Sequence, residues 1–430
     1  MIKKILFGSK DKMKSAYLWN TCAAMLNAFQ TVFILMLISR IDPGIDAGVF
    51  TIAFAIGNLM MAIGKYGIRQ FQVSDVEEKY SFKEYTVARI ITSIIMIAAS
   101  FVYVGVNLAS GLYDSSKSIV IILICLAKVI DAVEDVIHGM FQQYLRLDVA
   151  GKILSIRMCT YIFVYLVCYY FSKNLILTSA VALLVSFIQF VILNYTAIRG
   201  FEIKKKTFEI KNVKNIFVEC FPLFIASYLV IYIGNAPKYA IDKVMSSEAQ
   251  ACFTYIFMPV FVISLLSQFV YQPVISKMAL LWHEKKISQF NKLILRQIAL
   301  ILLLSVAAII GGYLLGIPVL SLIYGVDLTD YKKSLVILLI GGGALAIVNF
   351  LQMIITVARK QKLLNIGYLL AFLLFVFGGK TITEKHGMIG ISVFYTAVVM
   401  ILGAVFIVLT IGIIKGYANS DGKTVAEKKQ

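Results

Sequence analysis

Between positions 128 and 146 the chain sets Lys128, Asp131, Glu134, Asp135, His138, Gln142 and Arg146 into an otherwise apolar stretch that follows SIVIILICLA. On an α-helix turning about 100° per residue, all seven fall within roughly a third of the circumference. Leu126, Val129, Ile130, Val133, Val136, Ile137 and Met140 take the opposite side. Such a face offers three chemistries. Its cations suit a phosphate or carboxylate. Its carboxylates and amide suit sugar hydroxyls. Asp131, Asp135 and His138 together suit the uptake and release of a proton. A salt-bridge network that only locks the helix is the competing reading, because Lys128 and Asp131 stand three residues apart. Three carboxylates against one lysine exceed what such pairing needs, which favours a face lining a cavity.

The surroundings of this helix decide what the face can be. Of 430 residues, 60% are hydrophobic and 15% charged, against about 25% charged in a soluble domain. Uncharged runs cover 15–39, 90–113, 174–198, 297–326, 334–358 and 387–414, each longer than the roughly 20 residues that cross a bilayer as a helix. The chain therefore reads as an all-α polytopic membrane protein with spans at 14–39, 47–68, 84–109, 117–145, 150–172, 174–199, 216–241, 248–277, 291–316, 333–358, 362–380 and 387–415. In lipid, each charge near the bilayer centre costs roughly 3 kcal/mol, so the 128–146 face would cost on the order of 10 kcal/mol. It must look onto protein or a wet cavity.

Of the 41 Lys and Arg, 31 fall on the side of the N-terminus, the loops after even-numbered spans and the C-terminus. Eight fall on the other side, and Lys128 and Lys238 are assigned to span interiors. By the positive-inside rule both termini are expected to be cytoplasmic. This topology signal absorbs most of the net charge of +18, and a nucleic-acid partner is excluded. The basic loop RGFEIKKKTFEIKNVKN splits the spans six and six. Expected units are a lobe over 1–199, a linker over 200–215, a second lobe over 216–416 and a polar tail over 417–430. DAGVFTIAF at 46–54 and EAQACFTYIF at 248–257 open the second and eighth spans alike, as two parallel repeats would.

Weaker polar faces occur elsewhere: Asn20, Asn27 and Thr31; Asn58, Lys65, Arg69 and Gln72; Asn235, Lys238 and Asp242; Asn349, Gln352, Thr356 and Arg359. A single amide in a span usually bonds a neighbouring helix, and Arg69 and Arg359 sit near span ends where a cation can snorkel. Recurrence in both halves favours a shared polar interior that includes Lys65, Arg69, Asn27, Asn235, Lys238, Asp242, Asn349 and Gln352. The six cysteines lie in apolar segments without metal-ligand spacing, and no nucleotide loop or nucleophile motif occurs. No catalytic residue, metal or cofactor is assigned, and the chain reads as a transporter without its own ATPase.

GIRQFQVSD (67–75), KVIDAVEDVIHGMFQQYLRLD (128–148) and FPLFIASYLVIYIGNAPKYAIDK (221–243), the last followed by FTYIFMPVF, carry a resemblance. With the six-plus-six layout, the chain resembles bacterial Wzx-type flippases of lipid-linked polysaccharide repeat units, within the multidrug/oligosaccharidyl-lipid/polysaccharide exporter superfamily. The resemblance implies two six-helix lobes around a central cavity that opens alternately to each side. It implies an undecaprenyl-pyrophosphate-linked oligosaccharide as cargo for capsule or cell-wall polysaccharide, membrane lipids as surroundings, and glycosyltransferase and polymerase partners. It leaves open whether H+ or Na+ couples transport. On this pattern Lys128, Asp131, Asp135, His138, Arg69, Asn235, Lys238 and Asp242 are carried over as transport residues. A cation-coupled multidrug exporter of the same fold stays as the alternative, and a polysaccharide polymerase as a more distant one.

Overall fold

The computed structural model describes residues 2–75, 77–203 and 207–427, with the side chains of residue 2 and of 417–427 excepted. Residues 204–206 of the basic stretch and 428–430 of the expected tail lie outside the described residues. Among the described residues there is no strand, and helices account for the spans. By contacts the chain forms two compact units, 1–231 and 232–430. Their boundary falls inside a helix, beyond the 200–215 stretch expected to separate the lobes.

The first unit begins with a short α1 (Ile2–Phe7), followed by α2 (Lys12–Ile41), α3 (Ile45–Lys65), α4 (Ile68–Ser74), α5 (Phe82–Ala109), α6 (Ser115–Gln143), α7 (Leu147–Ser172) and α8 (Leu175–Ile198). Helix α9 (Ile210–Asp242) belongs to it as far as residue 231. The second unit continues with α10 (Ser247–Tyr271), α11 (Ile275–His283), α12 (Ile287–Gly311), α13 (Ile317–Tyr324), α14 (Lys332–Val357) and α15 (Leu364–Glu427). A 3-10 turn joins α10 to α11, and a π turn joins α12 to α13, so each pair makes one span. Gly387 (φ 58°, ψ −146°) breaks α15 into two spans, in a backbone region open essentially to glycine alone. Ten helical segments are long and apolar enough to cross a membrane. The charged α6 and the division of α15 bring the spans to twelve.

The sequence punctuates these helices by ordinary capping. Asp11, Asp114, Asn174 and Ser246 accept amide hydrogen bonds at the starts of α2, α6, α8 and α10. Ser81 and Glu84 form a reciprocal capping box at the start of α5. Close packing then depends on small residues. At Gly64 of α3 a Cβ would stand 3.0 Å from Ala132 Cβ of α6 and 2.6 Å from Met96 Sδ of α5. At Gly57 it would stand 3.3 Å from Lys128 Cγ. Helix α3 is consequently buried along most of its length between its neighbours. In the second unit Gly341, Gly342 and Gly343 touch Thr396, Val260 and Ser305 respectively. The triple glycine lies in an unbroken α14 and lets three helices approach at once.

Candidate functional site

The charged face of α6 turns into the first unit, and each of its carboxylates is held from another helix. Asp131 accepts from Lys128 Nζ at 3.2 Å, and from Arg157 Nη2 of α7 at 2.5 Å. Glu134 accepts from Arg157 Nε at 3.0 Å, and from Asn194 Nδ2 of α8 at 2.8 Å. Asp135 accepts from Arg89 Nη2 of α5 at 2.9 Å, and from Arg69 Nη1 of α4 at 3.4 Å. Arg89 also donates to the Gly64 carbonyl oxygen, at the end of α3. Arg69 Nη2 donates to Gln142 Oε1 at 3.2 Å. One helix thus supplies three anions, and four others supply the cations and amides that neutralise them. Three acids on one face need no cavity to explain them, because their partners lie far away in sequence.

The charge balance is opposite to that of α6 alone. Arg69, Arg89, Lys128 and Arg157 pair with three carboxylates, and Lys65 lies within electrostatic reach of Asp131 and Asp135. Five cations against three carboxylates leave the cluster positive by two. Its depth is graded. The side chains of Arg89 and Arg157 are 0% and 2% exposed, whereas that of Arg69 is 29% exposed. Lys128 is buried, with Phe54 at 4.3 Å from its ammonium and α3 at Gly57 against its stem. A cavity of about 10 Å³ beside Lys128, Asp131 and Arg157, lined also by Gln30, Tyr161 and Ser186, has room for a single water at most. The accessible cations of the cluster are Lys65 and Arg69, which are partly exposed.

The remaining expected residues divide. His138 is buried against Phe141, and its Nε2 has no hydrogen-bond partner. Arg146 leaves the stripe, because at the end of α6 the chain turns and the guanidinium makes a two-point pair with Asp148 at 2.9 and 3.1 Å. Asn27 is exposed and accepts from Gln30 at 3.3 Å; Gln30 is the inward-facing member of that pair. In the second unit Asn349 donates to Ser264 Oγ at 2.7 Å, joining α14 to α10, and Gln352 is partly exposed one turn along. Asn235 and Asp242 each have a partner, but Lys238 is not held by Asp242 as its spacing suggested. Among the described residues Lys238 has no carboxylate partner. Its ammonium lies 5.9 Å from the Phe257 ring, which sits about 15 Å along α10 from that helix's start.

No family model matches the chain. It is 23% identical over 356 residues to the capsular polysaccharide biosynthesis protein CapF of Staphylococcus aureus, a match covering 82% of this chain and 87% of that one. Among solved structures it resembles the lipid II flippase MurJ, with a TM-score of 0.71, 13% identity, and 93% of this chain and 90% of that chain covered. It also resembles a multidrug resistance MATE family transporter of the MOP superfamily, with a TM-score of 0.68, 12% identity, and 91% and 96% covered. The chain shares the fold of these two solved proteins. The resemblance read from its sequence holds, as does the all-α polytopic membrane architecture.

Within this fold the residues missed by sequence reasoning are Arg89, Arg157 and Asn194. Arg89 and Arg157 were grouped with the loop cations, yet both lie inside helices α5 and α7 and are buried. Removing them from the topology count leaves 29 against eight, so the charge bias persists. A signal was present: Arg157 follows the start of its span by a full seven residues, too deep for an interfacial cation without a partner.

Proposed function

We propose that this protein moves an undecaprenyl-pyrophosphate-linked oligosaccharide repeat unit from the inner to the outer leaflet of a bacterial cytoplasmic membrane by alternating access, for capsule or cell-wall polysaccharide synthesis. The observation that carries this reading is the positive excess of the cluster around α6, with Lys65 and Arg69 at its accessible edge. Guanidinium and ammonium groups in a sheltered site suit a pyrophosphate, and a cationic drug would be repelled by the same excess. That balance favours a flippase over a multidrug exporter. The capsular polysaccharide role in CapF's name and the lipid flippase role in MurJ's support a lipid-linked cargo. Lys128, Arg89 and Arg157 hold the site together in this reading, while Arg69 and Lys65 meet the headgroup and Gln142 and Asp135 position Arg69. A glycosyltransferase supplies the substrate and a polymerase consumes the product.

The test is depletion of the protein in cells whose glycosyltransferases are intact. Lipid-linked repeat units should accumulate facing the cytoplasm. Accumulation on the outer face would indicate a polymerase, and no accumulation with raised drug sensitivity would indicate an exporter.

A further inference from the structure

At the end of the second unit nearest the C-terminus of α15 lies an open cavity of roughly 1180 Å³, larger than the roughly 300–1,000 Å³ typical of pockets that enclose a drug-sized ligand. One wall is basic. Arg359, Lys360 and Lys362 line it and are exposed, and no carboxylate among the described residues pairs with any of them. The other wall is apolar and belongs to the last membrane-spanning turns of α15, with Leu363 and Trp282 completing it. Val408, Gly412 and Gly416 follow one another at four-residue spacing and so share a helix face. At both glycines a Cβ would meet nothing within 4 Å, so the missing side chains open the groove without serving helix packing.

The basic wall is fixed before any ligand arrives. Helix α14 ends with Lys360 N–H donating to the Ile355 carbonyl at 3.0 Å and Arg359 N–H to that of Thr356 at 2.9 Å. This is a Schellman closure, in which glycine usually takes the left-handed position. Here Arg359 takes it, with φ 56°, a conformation that residues bearing a Cβ disfavour. Leu363 N–H then donates to the Lys360 carbonyl at 3.0 Å and closes the next turn. Three cations are thereby presented on a short, hydrogen-bonded arc beside an apolar channel.

We propose that this groove binds an anionic phospholipid of the adjacent leaflet, its phosphate held by Arg359, Lys360 and Lys362 and an acyl chain lying along Val408, Gly412 and Gly416. A soluble anion would use the cations and leave the apolar wall uncovered. A neutral lipid would cover the apolar wall and leave three unpaired cations. An anionic lipid matches both walls, and the tryptophan at the mouth suits the depth of a headgroup. The site is lined by residues of the second unit alone and does not depend on the cargo assigned above.

Trp282 makes the test direct, because the chain has only two tryptophans. Full-length protein carrying Trp19→Phe would be reconstituted into vesicles of phosphatidylcholine containing either brominated phosphatidylglycerol or brominated phosphatidylcholine, and quenching of Trp282 measured. Brominated phosphatidylglycerol should quench at much the lower mole fraction. Each cation near an anionic headgroup favours it about fivefold, so replacing all three with glutamine should reduce the preference on the order of a hundredfold at low salt. Gly412→Leu, which fills the groove and leaves the cations, should also weaken it. Inorganic phosphate at matched ionic strength should leave the preference unchanged. Equal quenching by the two lipids, a preference that survives the triple substitution, or its loss to inorganic phosphate would overturn the proposal.

Discussion

Replacing Arg157 with methionine tests whether the cluster is built as described. The Arg157 guanidinium bonds Asp131 at 2.5 Å and Glu134 at 3.0 Å, and its side chain is 2% exposed. Without it Glu134 keeps only Asn194, and Asp131 keeps only Lys128. Breaking a buried ion pair by removing one partner costs about 3–5 kcal/mol, because the other charge stays buried. Two carboxylates share this one guanidinium, which places the loss at the upper end. At roughly 1 °C per kcal/mol for a chain of 430 residues, unfolding should move down by about 5 °C. A thiol-reactive dye reports unfolding here, since Cys125, Cys220 and Cys252 are buried and free. Lys128→Met should cost less, about 1–3 kcal/mol, because Asp131 retains Arg157. Combining Arg157→Met with Glu134→Gln should recover most of the loss, as Asp131 then pairs with Lys128 alone and no carboxylate is left unpaired. An Arg157→Met midpoint within about 2 °C of the wild type, or an Arg157→Met/Glu134→Gln variant no better than the single, would show that the guanidinium does not hold these carboxylates.

Other consequences are separable from this one. Arg69→Gln removes a partly exposed cation whose carboxylate keeps Arg89, so thermal stability should stay near wild type while lipid-linked intermediates accumulate in cells; normal flux would dissociate Arg69 from the cargo. Lys238→Met should raise the unfolding temperature, because burying an ammonium without a carboxylate costs on the order of 1–3 kcal/mol; a fall would show that the ammonium is stabilised where it lies. In a background without other cysteines, Glu202→Cys should label only after permeabilisation and Asp327→Cys in intact cells, and the reverse would invert the topology.

The twelve spans were legible because a bilayer imposes a length on apolar runs and short polar loops mark their ends. Gly387 shows why boundaries were also readable: its conformation is one that other residues avoid, and the last span was placed to begin there. The cluster was half legible. The face on α6 follows from helical spacing, which is local. Its partners do not, since Arg89, Arg157 and Asn194 come from three separate helices and meet α6 only through packing. A lone arginine in an apolar span resembles an interfacial anchor until its neighbour is known. Lys238 shows the same gap: spacing puts it on one face with Asn235 and Asp242, and the neighbour it meets across the packing is the Phe257 ring of α10. Arg146 shows the limit of the wheel itself: the face was extended past Gln143, where α6 stops.

The proposed function has the cations of the first unit receive a lipid-linked pyrophosphate cargo on its way across the bilayer. The direct measurement is flipping in proteoliposomes of a fluorescent oligosaccharide on a polyprenyl pyrophosphate, read as the fraction that an impermeant glycosidase or quencher reaches over time. Protein-dependent exchange between leaflets should be suppressed by Arg69→Gln and left intact by Lys380→Gln, whose exposed cation pairs with Glu384 outside the cluster. Exchange no faster than in protein-free vesicles, or equal loss in both variants, would contradict it.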